Sequence, residues 1–156
     1  MNVIKIEEIK SLVERLQAQG KQVVATNGCF DILHRGHLEY LTASRALGDV
    51  LIVGLNSDQS VRQLKGPDRP INNQEDRAVM LAGLKPVDYV VIFDELEASN
   101  FLKTAHPDIY TKGADYQAKT LPEFKASQEI GARIEFIDLV EDKSTTSMLE
   151  KLNAPS

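Results

Sequence analysis

Apolar positions along the chain switch between two spacings, and the switches mark its elements. Ile6, Ile9, Leu12, Val13 and Leu16 recur at helical spacing and stop at Gly20, which predicts an amphipathic helix over residues 6–19. Val23-Val24 is a short apolar run, after which Leu38, Leu41, Ala46 and Leu47 return to helical spacing. Val50-Leu51-Ile52-Val53-Gly54-Leu55 is nearly continuously apolar, the pattern of a parallel strand covered on both faces. Further strands are predicted at Asp88–Phe93, Asp108–Thr111 and Arg133–Leu139. Helices are predicted at Val61–Leu64, from Asn72-Asn73-Gln74-Glu75 through Leu84, at Glu97–Thr104, at Leu121–Ile130 before Gly131, and at Met148–Leu152.

Strands alternating with helices imply an α/β fold: a Rossmann-like doubly wound five-stranded parallel sheet, order 3-2-1-4-5, with helices on both faces. In that order the crevice opens between the first and fourth strands. Residues 27–37 and 112–115 would then share one rim, with 144–147 following the neighbouring fifth strand.

Length and composition narrow the class. A chain of 156 residues is expected to form one domain, here 1–152, followed by a frayed tail at 153–156. With 42% hydrophobic and 26% charged residues it has the balance of a globular protein, and a net charge of −5 argues against nucleic acid as a bulk partner. Any anion site must therefore be a local cationic cluster. The single cysteine excludes an internal disulfide, and Met1-Asn2-Val3-Ile4-Lys5 lacks the apolar core of a signal peptide, so a cytoplasmic location is expected. No apolar stretch approaches the ~20 residues that span a bilayer.

The candidate chemistry centres on Ala25-Thr26-Asn27-Gly28-Cys29-Phe30-Asp31-Ile32-Leu33-His34-Arg35-Gly36-His37, read as strand, tight loop and helix start. A histidine at a helix start can simply cap it or fill a gap. Two histidines three apart, with Gly36 between them, would instead stand where unpaired N–H groups and the helix dipole favour a phosphate. Asn56-Ser57-Asp58 ends the next strand, either as an Asx turn capping a helix or as a ligand contact. Arg62–Pro70, with three cations, a glycine and two prolines, reads as a long exposed loop able to close as a basic lid over a polyphosphate. Arg77, in the first two turns of its helix, is unfavourable toward the dipole and so suggests a specific partner. Lys112-Gly113-Ala114-Asp115-Tyr116 again places polar groups after a strand. Ser147 with Glu150 has capping-box spacing, while the hydroxyl excess in Ser144-Thr145-Thr146-Ser147 beside Lys143 suits phosphate contact. His106, before a proline and away from these segments, reads as structural.

The signature, with Gly28, Phe30, Asp31, His34, Gly36 and His37, resembles that of the cytidylyltransferase-like nucleotidyltransferases. Cys29 stands where most of that superfamily has Thr, and the Gly-Cys-Phe-Asp form is similar to the branch that adenylylates heptose 1-phosphate. Gly-Leu-Asn-Ser-Asp at 54–58, Leu-Lys-Gly-Pro at 64–67, Arg-Pro-Ile-Asn at 69–72, Glu-Asp-Arg at 75–77, Val-Asp-Tyr-Val-Val at 87–91, Lys-Gly-Ala-Asp-Tyr at 112–116 and Ser-Thr-Thr at 144–146 extend the resemblance to the adenylyltransferase domain of ADP-heptose synthase. The Arg-Thr-x-Gly that precedes Ser-Thr-Thr in cytidylyltransferase members is absent, which weakens a CTP assignment.

The resemblance implies attack of a D-glycero-β-D-manno-heptose 1-phosphate oxygen on the α-phosphorus of ATP, giving ADP-heptose and pyrophosphate for lipopolysaccharide precursors. It implies His34, His37 and Lys65 as catalytic residues. It implies nucleotide binding by Asn27, Gly28, Cys29, Phe30, Gly36, Asp58, Arg77, Lys112, Gly113, Asp115, Ser144, Thr145, Thr146 and Ser147. Mg²⁺ would arrive with ATP, with Asp31 a candidate helper as ligand. Many relatives carry a fused sugar kinase; with no room for one here, a separate kinase is expected upstream. A homo-oligomer through the opening helix or Leu121–Ile130 is also implied. The alternatives are a glycerol-3-phosphate cytidylyltransferase and an ATP-binding sensor without chemistry.

Overall fold

The computed structural model describes residues 2–115, 120–138 and 145–153, with backbone alone at 145–148. The described elements run β1 (Val3–Ile4), α1 (Ile6–Ala18), β2 (Val23–Gly28), α2 (Arg35–Arg45), β3 (Val50–Asn56), α3 (Asp58–Lys65), α4 (Gln74–Ala82), β4 (Tyr89–Phe93), α5 (Ser99–Ala105), β5 (Ile109–Gly113), α6 (Phe124–Ile130), β6 (Arg133–Ile137) and α7 (Thr145–Asn153). They build one parallel sheet of order β1-β4-β3-β2-β5-β6. The five expected strands hold the expected order. The correction is a sixth: Val3↔Val90 and Ile4↔Val91 add β1 at the edge, and a two-residue strand is too short to show a period.

Side-chain alternation along the strands supplies both faces with a core. Val23, Ala25, Val50, Ile52, Val91, Phe93 and Tyr110 pack beneath α1 and α5, whose Ile9, Leu12, Val13, Phe101 and Leu102 are buried with them. On the other face Val24, Leu51, Val53, Leu55, Val90 and Ile109 meet Leu41 of α2, and Ala78 and Leu81 of α4. Because helices cover both faces, β3 at the middle of the sheet reads as an apolar run, while β6 at the edge alternates. No helix among the described residues is long and apolar enough to cross a membrane.

Segment boundaries shift in places. Arg62 to Lys65, where the helix expected at Val61–Leu64 runs into the loop expected over 62–70, is the last turn of α3, and the loop begins at Gly66, whose φ of +105° suits only glycine. α7 begins at Thr145, two residues before the Ser147 start that a capping box with Glu150 would require. His106 ends α5 in the left-handed conformation, and its carbonyl accepts from Gln17 at 3.0 Å, a structural role as expected.

The site follows from where pairing stops. β2 pairs with β3 over six residues, Val23↔Val50 to Gly28↔Leu55, but with β5 only at Val24↔Ile109 and Ala25↔Tyr110. Beyond these the Thr26 hydroxyl, not a backbone N–H, donates to the Thr111 carbonyl at 3.2 Å. Tyr40 and Ser44 of α2 join the same buried hydroxyl group, at 3.3 and 2.9 Å from Thr111 Oγ1. The chain leaves β2 toward β3 on one side and returns at β5 on the other. This is the switch point at which open α/β sheets form a crevice outside the strands' carboxyl ends.

Candidate active site

Asn27 and Gly28 end β2 at that crevice, and Tyr110 of β5 donates its hydroxyl to Asn27 Oδ1. Phe30 takes a left-handed φ of +45°, and its buried ring folds back so that a Cβ on Gly28 would stand 2.8 Å from it. The turn thus requires a glycine beneath the aromatic ring. Phe30 also meets the His37 ring edge-on, at 5.3 Å between centroids.

His34 is the extended N-cap of α2, and its ring stacks on that of His37 at 3.8 Å. The His34 N–H donates to His37 Nδ1 at 3.3 Å. With Nδ1 accepting, the proton of the neutral ring sits on Nε2, which leaves Nε2–H as a donor. Burial, helped by the charge on His34, lowers the His37 pKa to about 4, so the ring is neutral at pH 7. Gly36 lies between the two in the first turn.

Cations surround this turn. Burial pushes the Cys29 thiol above its ordinary value, while the charges of Lys65, Arg77 and Arg69 pull it back. Burial likewise lowers the Lys112 ammonium, opposed by Glu123, Asp115 and Cys29. Cys29 is thus among the groups whose charge acts on Lys112. Lys65 is the exposed last residue of α3; Gly113 closes β5, and Asp115 is exposed just beyond it.

Three expected roles change. Arg77 is no open hook for phosphates: its side chain is 1% exposed and donates to the carbonyls of Asn72 (3.0 Å), Cys29 (2.7 Å) and Asn56 (2.8 Å) and to Asp58 Oδ1 (2.8 Å). It fastens the ends of β2 and β3 to the start of α4. The overlooked signal was spacing, since Arg77 stands four residues before buried Leu81 on the inward face of α4. Asp58 is correspondingly an ion-pair partner behind the Ser57 cap, which accepts from the Ser60 N–H. Asp31, the metal candidate, is 3% exposed and accepts from the N–H groups of Ile71 (2.9 Å) and Asn72 (3.0 Å) and from Arg69 Nε (2.8 Å). Burial alone would raise its carboxyl, but the Asn72 and Ile71 amides and Arg69 outweigh it and hold it below the ordinary value. Its oxygens are committed to anchoring residues 69–72. Nothing in the local sequence marks a partner forty residues away.

Ser144 lies outside the described residues, as do Lys143 and Tyr116, and Thr145, Thr146 and Ser147 are described only as the opening of α7.

The arrangement has known counterparts. The cytidylyltransferase-like family profile matches residues 25–153. This chain belongs to the cytidylyltransferase-like family. It is similar to the bifunctional protein HldE of Nitratiruptor sp., with 51% identity over 95% of this chain and 31% of the relative. It is equally similar to HldE of Campylobacter concisus, with 51% identity over 95% of this chain and 31% of that protein. The chain thus spans under a third of these relatives. A lipopolysaccharide core biosynthesis protein from Thermoplasma volcanium superposes with a TM-score of 0.63 at 30% identity, covering 78% of this chain and 98% of that one. Membership in the cytidylyltransferase-like family makes the chain a nucleotidyltransferase domain, as the signature turn implied.

Proposed function

We propose that the chain is an adenylyltransferase that converts ATP and D-glycero-β-D-manno-heptose 1-phosphate to ADP-heptose and pyrophosphate. The observation that carries this reading is the stacked His34–His37 pair at the start of α2, at the switch point of the sheet. The similarity to HldE and to a lipopolysaccharide core biosynthesis protein supports the sugar class.

The sugar phosphate is already an anion, so the reaction needs no general base and no covalent intermediate. Catalysis rests on alignment and on donors aimed at the charge that grows on the phosphates. His37 donates from Nε2–H, and its neutrality spares the site a charged imidazole before ATP arrives. His34 stacks beside it and faces the same oxygens. Lys65 approaches the β- and γ-phosphates from the end of α3, and the first turn of α7, with Ser144 to Ser147, holds the leaving pyrophosphate. Asn27, Gly28, Cys29, Phe30, Gly36, Gly113 and Asp115 line the nucleotide side. Arg77 and Asp58 act one step back, fixing the strand ends against which ATP lies.

Mg²⁺ fits as a partner of ATP rather than of a protein cage: Asp31 is committed elsewhere, and no cluster of three or more His, Cys, Asp or Glu side chains gathers among the described residues. The ion would supply charge neutralisation, held mainly by the nucleotide rather than by these side chains. The reading includes a nucleotidyltransferase domain over 1–152, a cytoplasmic setting, a sugar kinase step upstream, and self-association.

Pyrophosphate release tests it. ATP with the heptose 1-phosphate is expected to turn over well above CTP with the same acceptor. Turnover of CTP with glycerol 3-phosphate and none with ATP and the heptose phosphate would overturn the assignment.

A further inference from the structure

Tyr110 is fully buried, packed in the core that lies beneath α1 and α5. It pairs with Ala25 in the last rung between β2 and β5, and Asn27, two residues farther along β2, lies on the same face. The Tyr110 hydroxyl reaches diagonally past that rung and donates to Asn27 Oδ1. Asn27 is half-buried at the carboxyl end of β2, and among the described residues its amide nitrogen makes no hydrogen bond.

Neither the core nor the sheet calls for this bond. Phenylalanine would fill the same space without a hydroxyl to desolvate. The strands are already tied beyond their last rung on the opposite face, where the Thr26 hydroxyl donates to the Thr111 carbonyl at 3.2 Å. What the bond does decide is which end of the Asn27 carboxamide is turned inward. The two ends have nearly the same shape and opposite character, one accepting and the other donating twice. With Oδ1 held by Tyr110, Nδ2–H₂ is left at the crevice, one residue before Gly28 and on the strand that leads to the His34–His37 pair. An anion there meets donors, whereas an unheld carboxamide can rotate and turn its oxygen toward the anion.

We propose that Tyr110 is a positioning residue of the nucleotide site: its hydroxyl holds the Asn27 oxygen inward, so that Nδ2–H₂ is presented to a phosphate oxygen of the bound nucleotide. The proposal rests on the nucleotidyltransferase reading above, and it adds a buried residue that touches no substrate.

Tyr110→Phe removes only the hydroxyl. Measured by calorimetry without a sugar acceptor, the ATP Kd is expected to rise about fivefold in Tyr110→Phe and about tenfold in Asn27→Ala. In the Asn27→Ala background, adding Tyr110→Phe should leave Kd in place, since no carboxamide remains to orient; a purely structural hydroxyl predicts the same loss in both backgrounds. Asn27→Asp keeps an oxygen for Tyr110 and puts a carboxylate where the donor stood, so it should bind ATP more weakly than Asn27→Ala. An Asn27 oxygen turned outward, or a ribose hydroxyl as the partner, predicts instead that Asp binds better than Ala. An unmoved Kd in Tyr110→Phe or in Asn27→Ala, an equal loss in both backgrounds, or tighter binding by Asp than by Ala overturns the proposal. Where Tyr110→Phe folds poorly, the order of Asp and Ala still decides it. Failure of the parent to bind ATP would overturn the function reading with it, whereas a parent that binds and turns over ATP beside an unmoved Tyr110→Phe overturns this inference alone.

Discussion

Arg77→Met sets the sequence expectation against the structure. The substitution keeps an unbranched stem in a 1% exposed site and deletes four donated hydrogen bonds, to Cys29, Asn56, Asn72 and Asp58. Three carbonyls, that of Asn56 buried and those of Cys29 and Asn72 partly so, lose a charged donor, at up to ~1–3 kcal/mol where the group is left unmade, and Asp58 loses its cation. Against this, methionine escapes the desolvation that the guanidinium suffers, and its thioether fills much of the space. The balance should resemble other broken buried pairs, about 3–5 kcal/mol of lost stability. For a chain of this length that lowers Tm by ~6–20 °C. Thermal melts and urea titrations read the loss directly. ATP KM, measured well below the new Tm, should change less than the stability does, since Arg77 has one N–H left for any ligand. A Tm within a degree or two of the parent, together with a large rise in ATP KM, would refute the fastening role and restore Arg77 as a phosphate contact.

His37→Ala should lower kcat by ~10²–10³ while the circular dichroism spectrum is retained; normal pyrophosphate release by the folded variant removes the Nε2 donor from the mechanism. Lys65→Ala, at an exposed position, should raise the ATP KM and leave Tm unchanged, and an unaltered KM would take α3's last residue out of the site. For the ligand-free protein, His37 binds its proton near pH 4 when folded and near 6.5 when unfolded, so between those values the unfolded state holds more protons. Its contribution is therefore complete above about pH 6.5 and declines as the pH falls toward 4. Urea midpoints of the parent should show that slope, and His37→Gln should flatten it; equal slopes would mean the ring is not held neutral.

The periodicities were enough to place five strands, their parallel pairing and the edge at which polar loops gather, because a strand covered on both faces must be apolar along its length. β3, apolar from Val50 to Leu55, is the example. The Gly28–Phe30 and His34–Gly36–His37 spacings were legible for a related reason: a turn and a helix start act over a few residues, and the sequence carries their whole geometry. What the chain could not announce were interactions closed over long separations. Asp31 looks like a free carboxylate until the 69–72 loop folds onto it, and Glu123 looks like a surface residue at a helix start until the Ala98 N–H meets it. Arg77 lies between these cases, its helical face readable but its carbonyl partners on β2 and β3 not. Local sequence fixes which backbone conformations and faces are favourable. Whether a charged group ends in solvent, on a substrate or in the interior depends on which distant groups the packed sheet brings within hydrogen-bond reach, and that is settled only when the tertiary structure forms.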